Sequence, residues 1–244
     1  MSIEAGLQRY EVVNDLIKEE LSKKNKAVVK DVNGQRYIGC ALEQGKTIEV
    51  HGTPGNDMAC YLNGGKIEVF GNGQDAVGNT MNGGEIIIHG HSGDALGYGM
   101  RDGQIFIKDN VACRGGIHMK EFENMKPVLV IGQNAGSFLG EYMAGGTIVL
   151  LGLNLKRGEK LFGTHCASGM HGGKIFIRGK FPKEHLSANI NVSELTDEDK
   201  KELDKLVKKY CKCFDCSYDE IMAKPFKKLS PATSRPYANL YTAN

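Results

Sequence analysis

Apolar residues recur along this chain in short triplets at a nearly constant step. The triplets open at Ile48, Ile67, Ile86, Ile105, Val128, Ile148 and Ile175, and the first four openings are nineteen residues apart (67 − 48 = 19; 86 − 67 = 19; 105 − 86 = 19). In Ile67-Glu68-Val69 the outer two residues are apolar and the middle one is charged, the alternation of a strand with one buried face. Glycine follows in phase. It stands four residues after each opening at Gly52, Gly71, Gly90, Gly132, Gly152 and Gly179, and only the fourth strand departs, with Asp109. It recurs at Gly78, Gly97, Gly116 and Gly140, and the turns before strands include Gly64-Gly65, Gly83-Gly84 and Gly172-Gly173.

A unit near twenty residues is too short for a helix, two turns and a strand. It predicts strand, turn, short strand, turn, with glycine at the corners. Such a coil cannot bury its apolar side alone, so it stacks on the next. The expectation is an all-β core, a single-stranded parallel β-helix of about seven coils, roughly 30 Å long at the spacing of sheet strands. Two steps are longer: Ile105 to Val128 carries an insertion in 108–127, and Ile148 to Ile175 one in 152–174. Inserted loops are where a solenoid makes its contacts.

The flanks read differently. Residues 5–21 have an amphipathic helical pattern with Leu7, Tyr10, Val13, Ile17 and Leu21 on one face. Asn33-Gly34, between AVVKDV and QRYIG, predicts a hairpin. Residues 192–210 read as a helix capped by Thr196, and a second short helix starts at Ser217 with Glu220 completing a capping box. The tail from Lys228 carries Leu229, Tyr237, Leu240 and Tyr241 and reads as an extended docking segment. The expected division is 1–44 as helix and hairpin cap, 45–180 as β-helix, and 181–244 as helices and tail.

Composition narrows the function. Of 244 residues, 31 are basic and 29 acidic, a net charge of +2, which gives no field for nucleic acid or an anionic membrane. The 32 glycines without a matching load of proline fit repeated corners rather than disorder. No basic segment followed by an apolar one opens the chain, and no apolar run approaches a membrane span. With seven cysteines, an odd number, the expectation is a cytoplasmic protein with reduced thiols.

Several residues could carry chemistry. Cys211, Cys213 and Cys216 form C-x-C-x-x-C, which lacks a second cysteine pair nearby and reads as structural thiols rather than a metal knuckle. His51 and His89 fall in one column two coils apart with Phe70 between them, an aromatic spacer that favours stacking over shared coordination; His91 lies beside His89. His165, Cys166 and His171 lie on the longest insertion. Asp57, Asp75 and Asp94 recur near one phase and read as turn caps. GNGQDAVG lies between strands, not before a helix, and lacks a phosphate-loop lysine. No catalytic, cofactor-binding or metal-binding residue is assigned.

The repeats DAVGNTMNGGEIIIHG, DALGYGMRDGQIFI and SFLGEYMAGGTIVLLG resemble the C-terminal GXGXG domain of the glutamate synthase large subunit, and LSPATSRPYANLY resembles the ending of its free-standing forms. The resemblance covers 32–244. It implies a right-handed parallel β-helix with a structural and contact role. It places the amidotransferase nucleophile, FMN and the iron–sulfur cluster on partner subunits, since Ser2 rather than Cys follows Met1. The expected function is a non-catalytic interaction subunit of a multi-subunit glutamate synthase. The same superfamily includes subunits of formylmethanofuran dehydrogenase and N-methylglutamate synthase. A stand-alone β-helical acyltransferase is disfavoured because those helices repeat in hexapeptides.

Overall fold

A computed structural model describes residues 2–234. In chain order the elements are β1 (Ile3–Glu4), α1 (Tyr10–Lys23), β2 (Lys26–Asn33), β3 (Thr47–Thr53), β4 (Asn63–Phe70), β5 (Asn82–Ile88), β6 (Asp102–Ile107), β7 (Val128–Ile131), β8 (Ala144–Leu150) and β9 (Gly172–Arg178). A 3₁₀ turn, Lys183–His185, leads to β10 (Ile190–Ser193), α2 (Asp197–Phe214), α3 (Tyr218–Met222) and β11 (Phe226–Pro231). The strands form one sheet in the order β1-β2-β3-β4-β5-β6-β7-β8-β9-β11-β10, parallel from β1 to β9. This is a β-solenoid, and the seven strands expected from the repeat are β3 to β9.

Register explains the nineteen-residue step. Ile48, Ile67, Ile86 and Ile105 pair in sequence, then Leu129, Ile148 and Ile175, so one column of branched side chains fills the core. All are fully buried. A parallel column is buried on its inward side at every rung, and each such side chain contributes roughly 1.5–3 kcal/mol of burial. Across the interior runs a second column, Met81, Met100, Met119, Met143 and Met170, also buried. Unbranched methionine fills the irregular gap opposite a rigid isoleucine ladder. The expected second short strand is reduced to single parallel bridges, Ser92 to Val111 to Ala135 to Phe162.

The ends depart from the sequence reading. Asn33-Gly34 makes no hairpin: β2 pairs in parallel with β3, and the coil therefore starts at β2 rather than near Gly45. A solenoid corner uses the same positive-φ residues as a hairpin, so Asn-Gly does not discriminate between them. Gly34, at φ +83, donates its N–H to Thr53 O one coil on. Helix α1 begins at Tyr10, and Leu7 is 96% exposed, because the chain before it pairs with β2 and turns at Gly6. Val13, Ile17 and Leu21 are buried as expected and close one end of the core.

At the other end β11 runs antiparallel to β9, and β10 antiparallel to β11. Residues 192 and 193, expected within the helix, belong to this strand; α2 starts at Asp197, directly after the expected cap Thr196, and reaches Phe214. Reversing the strands closes the end with Leu229, fully buried. Tyr237, Leu240 and Tyr241 lie outside the described residues. The capping box forms at Thr196 and Asp199; at Ser217 the hydroxyl accepts the Glu220 N–H. No described helix is long and apolar enough to cross a membrane.

Candidate functional site

The sequence candidates are largely occupied by one another. His51 stacks on Phe70 at 5.0 Å between ring centroids and Phe70 on His89 at 4.6 Å. His51 Nε2 lies 2.7 Å from Glu49 and His89 Nε2 3.0 Å from Glu68. Each imidazole is thus held by a ring and a carboxylate of the ladder. His91 is exposed, and its carbonyl accepts the Gly73 N–H. His165 points outward and stacks on Phe138, whereas Cys166 is buried in the core, where burial pushes its thiol up to about 12. His171 Nδ1 lies 3.1 Å from Gly169 O. These three residues do not converge.

The aspartates bridge coils. Asp75 accepts the Asp94 N–H at 2.9 Å and Asp94 accepts the Cys113 N–H at 2.8 Å, each nineteen residues on. The expected local turn cap is in fact a tie between rungs. Asp57 belongs to another column; Asn56, one residue earlier, occupies the aspartate position and accepts the Asp75 N–H. Among the described residues no three of His, Cys, Asp and Glu are grouped to hold a metal. The C-x-C-x-x-C run splits: Cys211 and Cys216 face each other, while Cys213 looks toward Glu85 and Lys209. Two residues along a helix turn a side chain by about 200°, which puts Cys211 and Cys213 on opposite faces.

What the structure builds instead is a strap. Outward positions of the sheet are Glu49 on β3 and Glu68 on β4, then Ile87, Phe106, Val130, Val149 and Phe176 on β5 to β9, and these apolar residues pack beneath α2. From Asp199 to Phe214 is about 22 Å of helix, and from β11 to β5 is about 24 Å of sheet, so one helix covers that face by crossing the strands. Leu203, Leu206, Val207 and Tyr210 supply its buried side. Its first turn is clamped: Asp199 meets Lys174 of β9 at 3.0 Å and Lys228 of β11 at 2.5 Å, and Glu202 accepts the Thr147 hydroxyl at 2.6 Å. Burial works against the Asp199 carboxylate, but Lys228, the Thr196 N–H and Lys174 hold it well below the usual range. At its last turns Lys209 pairs with Glu85, and Tyr210, whose phenol burial pushes up, donates to Lys108 O at 3.0 Å. Arg178, nearly buried and pulled down by desolvation, donates to Ile221 O, Glu220 O and Leu151 O, tying α3 to the same end.

The corner opposite carries an unusual backbone. Ala76, Gly78 and Thr80 have φ of 56°, 69° and 53°, and Ala95, Gly97 and Gly99 repeat this one coil on with 56°, 67° and 57°. Left-handed residues two apart send successive N–H groups in opposite directions along the solenoid. Ala76 and Thr80 donate forward to Asp94 O and Tyr98 O, and Gly78 donates backward to Met58 O. Each rung is therefore tied to both neighbours through three alternate positions. Glycine suits such positions because it lacks the Cβ that disfavours them.

The middle position is glycine in both coils, Gly78 and Gly97. The GXGXG motif family matches residues 9–234, from just before α1 to just past β11. The chain belongs to this family, that of the C-terminal domain of the glutamate synthase large subunit. It is also 40% identical over 249 residues to an uncharacterized protein of Methanocaldococcus jannaschii, covering 98% of this chain and 95% of the relative.

On the outside of the GXGXG corner, Arg114 lies 5.2 Å from the Phe138 ring, which stacks at 4.9 Å on His165; His118 stacks on Tyr142 at 5.2 Å. Tyr61, Tyr98 and Tyr142 are exposed here, and Phe122 and Met125 are exposed on the first insertion. The GXGXG solenoid thus offers a wall of rings and an apolar loop tip rather than an enclosed constellation. Two features of it were in the sequence unread. Methionine recurs at nineteen residues, and the middle residue of the triplet changes from glutamate to apolar at Ile87. A triplet apolar throughout is buried on both faces, and that change marks where the strap begins.

Proposed function

We propose that this chain is the non-catalytic structural and interaction subunit of a multi-subunit glutamate synthase, which forms glutamate from glutamine and 2-oxoglutarate. Its partners are an amidotransferase chain and a synthase chain that carries FMN and an iron–sulfur cluster, all in the cytoplasm. The observation that carries the reading is the extent of the family match, residues 9–234, together with a relative aligned over 98% of this chain and 95% of its own length. Further support comes from residues that could react but are spent on the ladder, such as Asp75, Asp94, His51 and His89. The exposed rings of the GXGXG corner and the loop bearing Phe122 and Met125 supply contact surface.

The test is assembly from defined chains. Co-expression with the amidotransferase and the flavin/iron–sulfur synthase chains of the same genome should give one complex by size-exclusion chromatography with mass determination. A Phe122→Asp, Met125→Asp chain should fold and fail to join it. Partners that form their full complex in its absence, and never take it up, would refute the proposal.

A further inference from the structure

The C-x-C-x-x-C run has no part in the reading above, and its geometry is specific. Helix α2 ends with Asp215 in the left-handed conformation, φ 50°, and the Cys216 N–H returns to Cys211 O at 3.4 Å. This is the helix-terminating arrangement in which the residue after the left-handed one packs against the residue a turn back, usually through an apolar contact. Here both residues are cysteines, so the turn sets two thiols side by side. The backbone bond between the two residues limits the separation of their α-carbons, and a disulfide asks for about 4.4–6.8 Å. Cys213, on the far side of the helix among Glu85 and Lys209, is outside this pair.

The two thiols differ in access. Cys216 lines an open cleft of about 470 Å³ whose walls include Arg178, Ser217, Glu220 and Lys224. Both thiols are partly exposed and pack against the strap's apolar cluster, but Cys211 does not line the cleft. An oxidant entering the cleft therefore reaches Cys216 first.

We propose that Cys216 and Cys211 are a reversible oxidation site for hydroperoxides, closing to a disulfide that pins the end of α2 to the start of α3. The Cys216 thiolate attacks a peroxide oxygen, the O–O bond breaks, and the departing oxygen leaves as water or an alcohol after taking a proton. Cys211 then attacks the resulting sulfenic sulfur; the S–O bond breaks, and water leaves with the Cys211 proton. Two thiols are oxidised and one peroxide is reduced. Burial pushes the Cys211 thiol up to about 12, with the neighbouring Cys216 adding to the effect, which suits a resolving partner better than a first attacker. Because the carbonyls of Glu220 and Ile221 in α3 bind Arg178, the bond would fix this end of the strap to β9 as well.

The folded full chain, treated with hydrogen peroxide, alkylated at its remaining thiols and digested with trypsin, tests the assignment. Cleavage after Lys212 separates Cys211 from Cys213 and Cys216. The expected product is a cross-link between the two peptides, two hydrogens lighter than their sum and released by dithiothreitol. It should persist in Cys213→Ser and vanish in Cys216→Ser, with melting temperatures of the reduced chains unchanged. No cross-link in the folded wild type, a cross-link that survives Cys216→Ser, or a loop within the Cys213–Cys216 peptide would each overturn it.

Discussion

A Gly84→Val chain is expected to lose about 3–5 kcal/mol of stability through backbone strain and overpacking together. Gly84 has φ +97, and a Cβ there would stand 2.2 Å from Gly65 O, a backbone atom of the preceding coil. Gly84 sits at a register irregularity between the Asn63–Gly83 and Lys66–Glu85 pairs, which hold it on both sides. A β-branched side chain worsens both effects. Gly45 separates them: its φ is +80, but a Cβ there meets nothing within 4 Å. Gly45→Val should therefore show the backbone term alone, about 1–3 kcal/mol. Urea unfolding of the two variants checks this. Equal, small losses would mean that position 84 is not a rung contact.

The second large effect is expected at Asp199. Its carboxylate is nearly buried, caps the first turn of α2 through the Thr196 N–H, and binds Lys174 and Lys228. Asp199→Ala leaves Lys228 without that partner, although Lys174 keeps Glu202 at 2.7 Å. Breaking a buried pair from one side costs about 3–5 kcal/mol, and the retained Glu202 contact places this case near the lower figure, about 3 kcal/mol. The pH dependence follows from the direction of the shift. The folded carboxylate titrates below the unfolded value of about 3.9. Its contribution is therefore fully present above about pH 4 and is lost as pH falls below that toward the folded value. Unfolding free energies at pH 7 and pH 3 should show the gap between wild type and Asp199→Ala narrowing in acid. A gap that stays constant would mean that the pair carries no differential charge energy.

The repeat was legible because a solenoid stacks identical positions, so inward isoleucines and corner glycines must recur at the coil length. The His51, Phe70 and His89 column was legible for the same reason. The corner's alternation of handedness was not, since alanine, threonine and tyrosine occupy left-handed positions such as Ala76, Thr80 and Tyr142 alongside the glycines. There the inter-coil hydrogen bonds override local preference, and propensity read residue by residue misleads. Asn33-Gly34 failed because φ > 0 serves a corner as well as a hairpin. Cys211 and Cys216 were grouped with Cys213 by spacing, whereas helix geometry and the turn at Asp215 pair only two of them. The strap failed to register because a helix signal says that a helix forms, not what it covers. That information sat in the sheet, in the change from Glu68 to Ile87.

The proposed role is tested by glutamine-dependent glutamate formation from 2-oxoglutarate, measured with purified amidotransferase and synthase chains in the presence and absence of this chain. The chain alone should show no turnover, and coupled synthesis should rise when it is added while the separate glutaminase reaction stays unchanged. Full coupled synthesis without it, or turnover by the isolated chain, would rule out a non-catalytic interaction subunit.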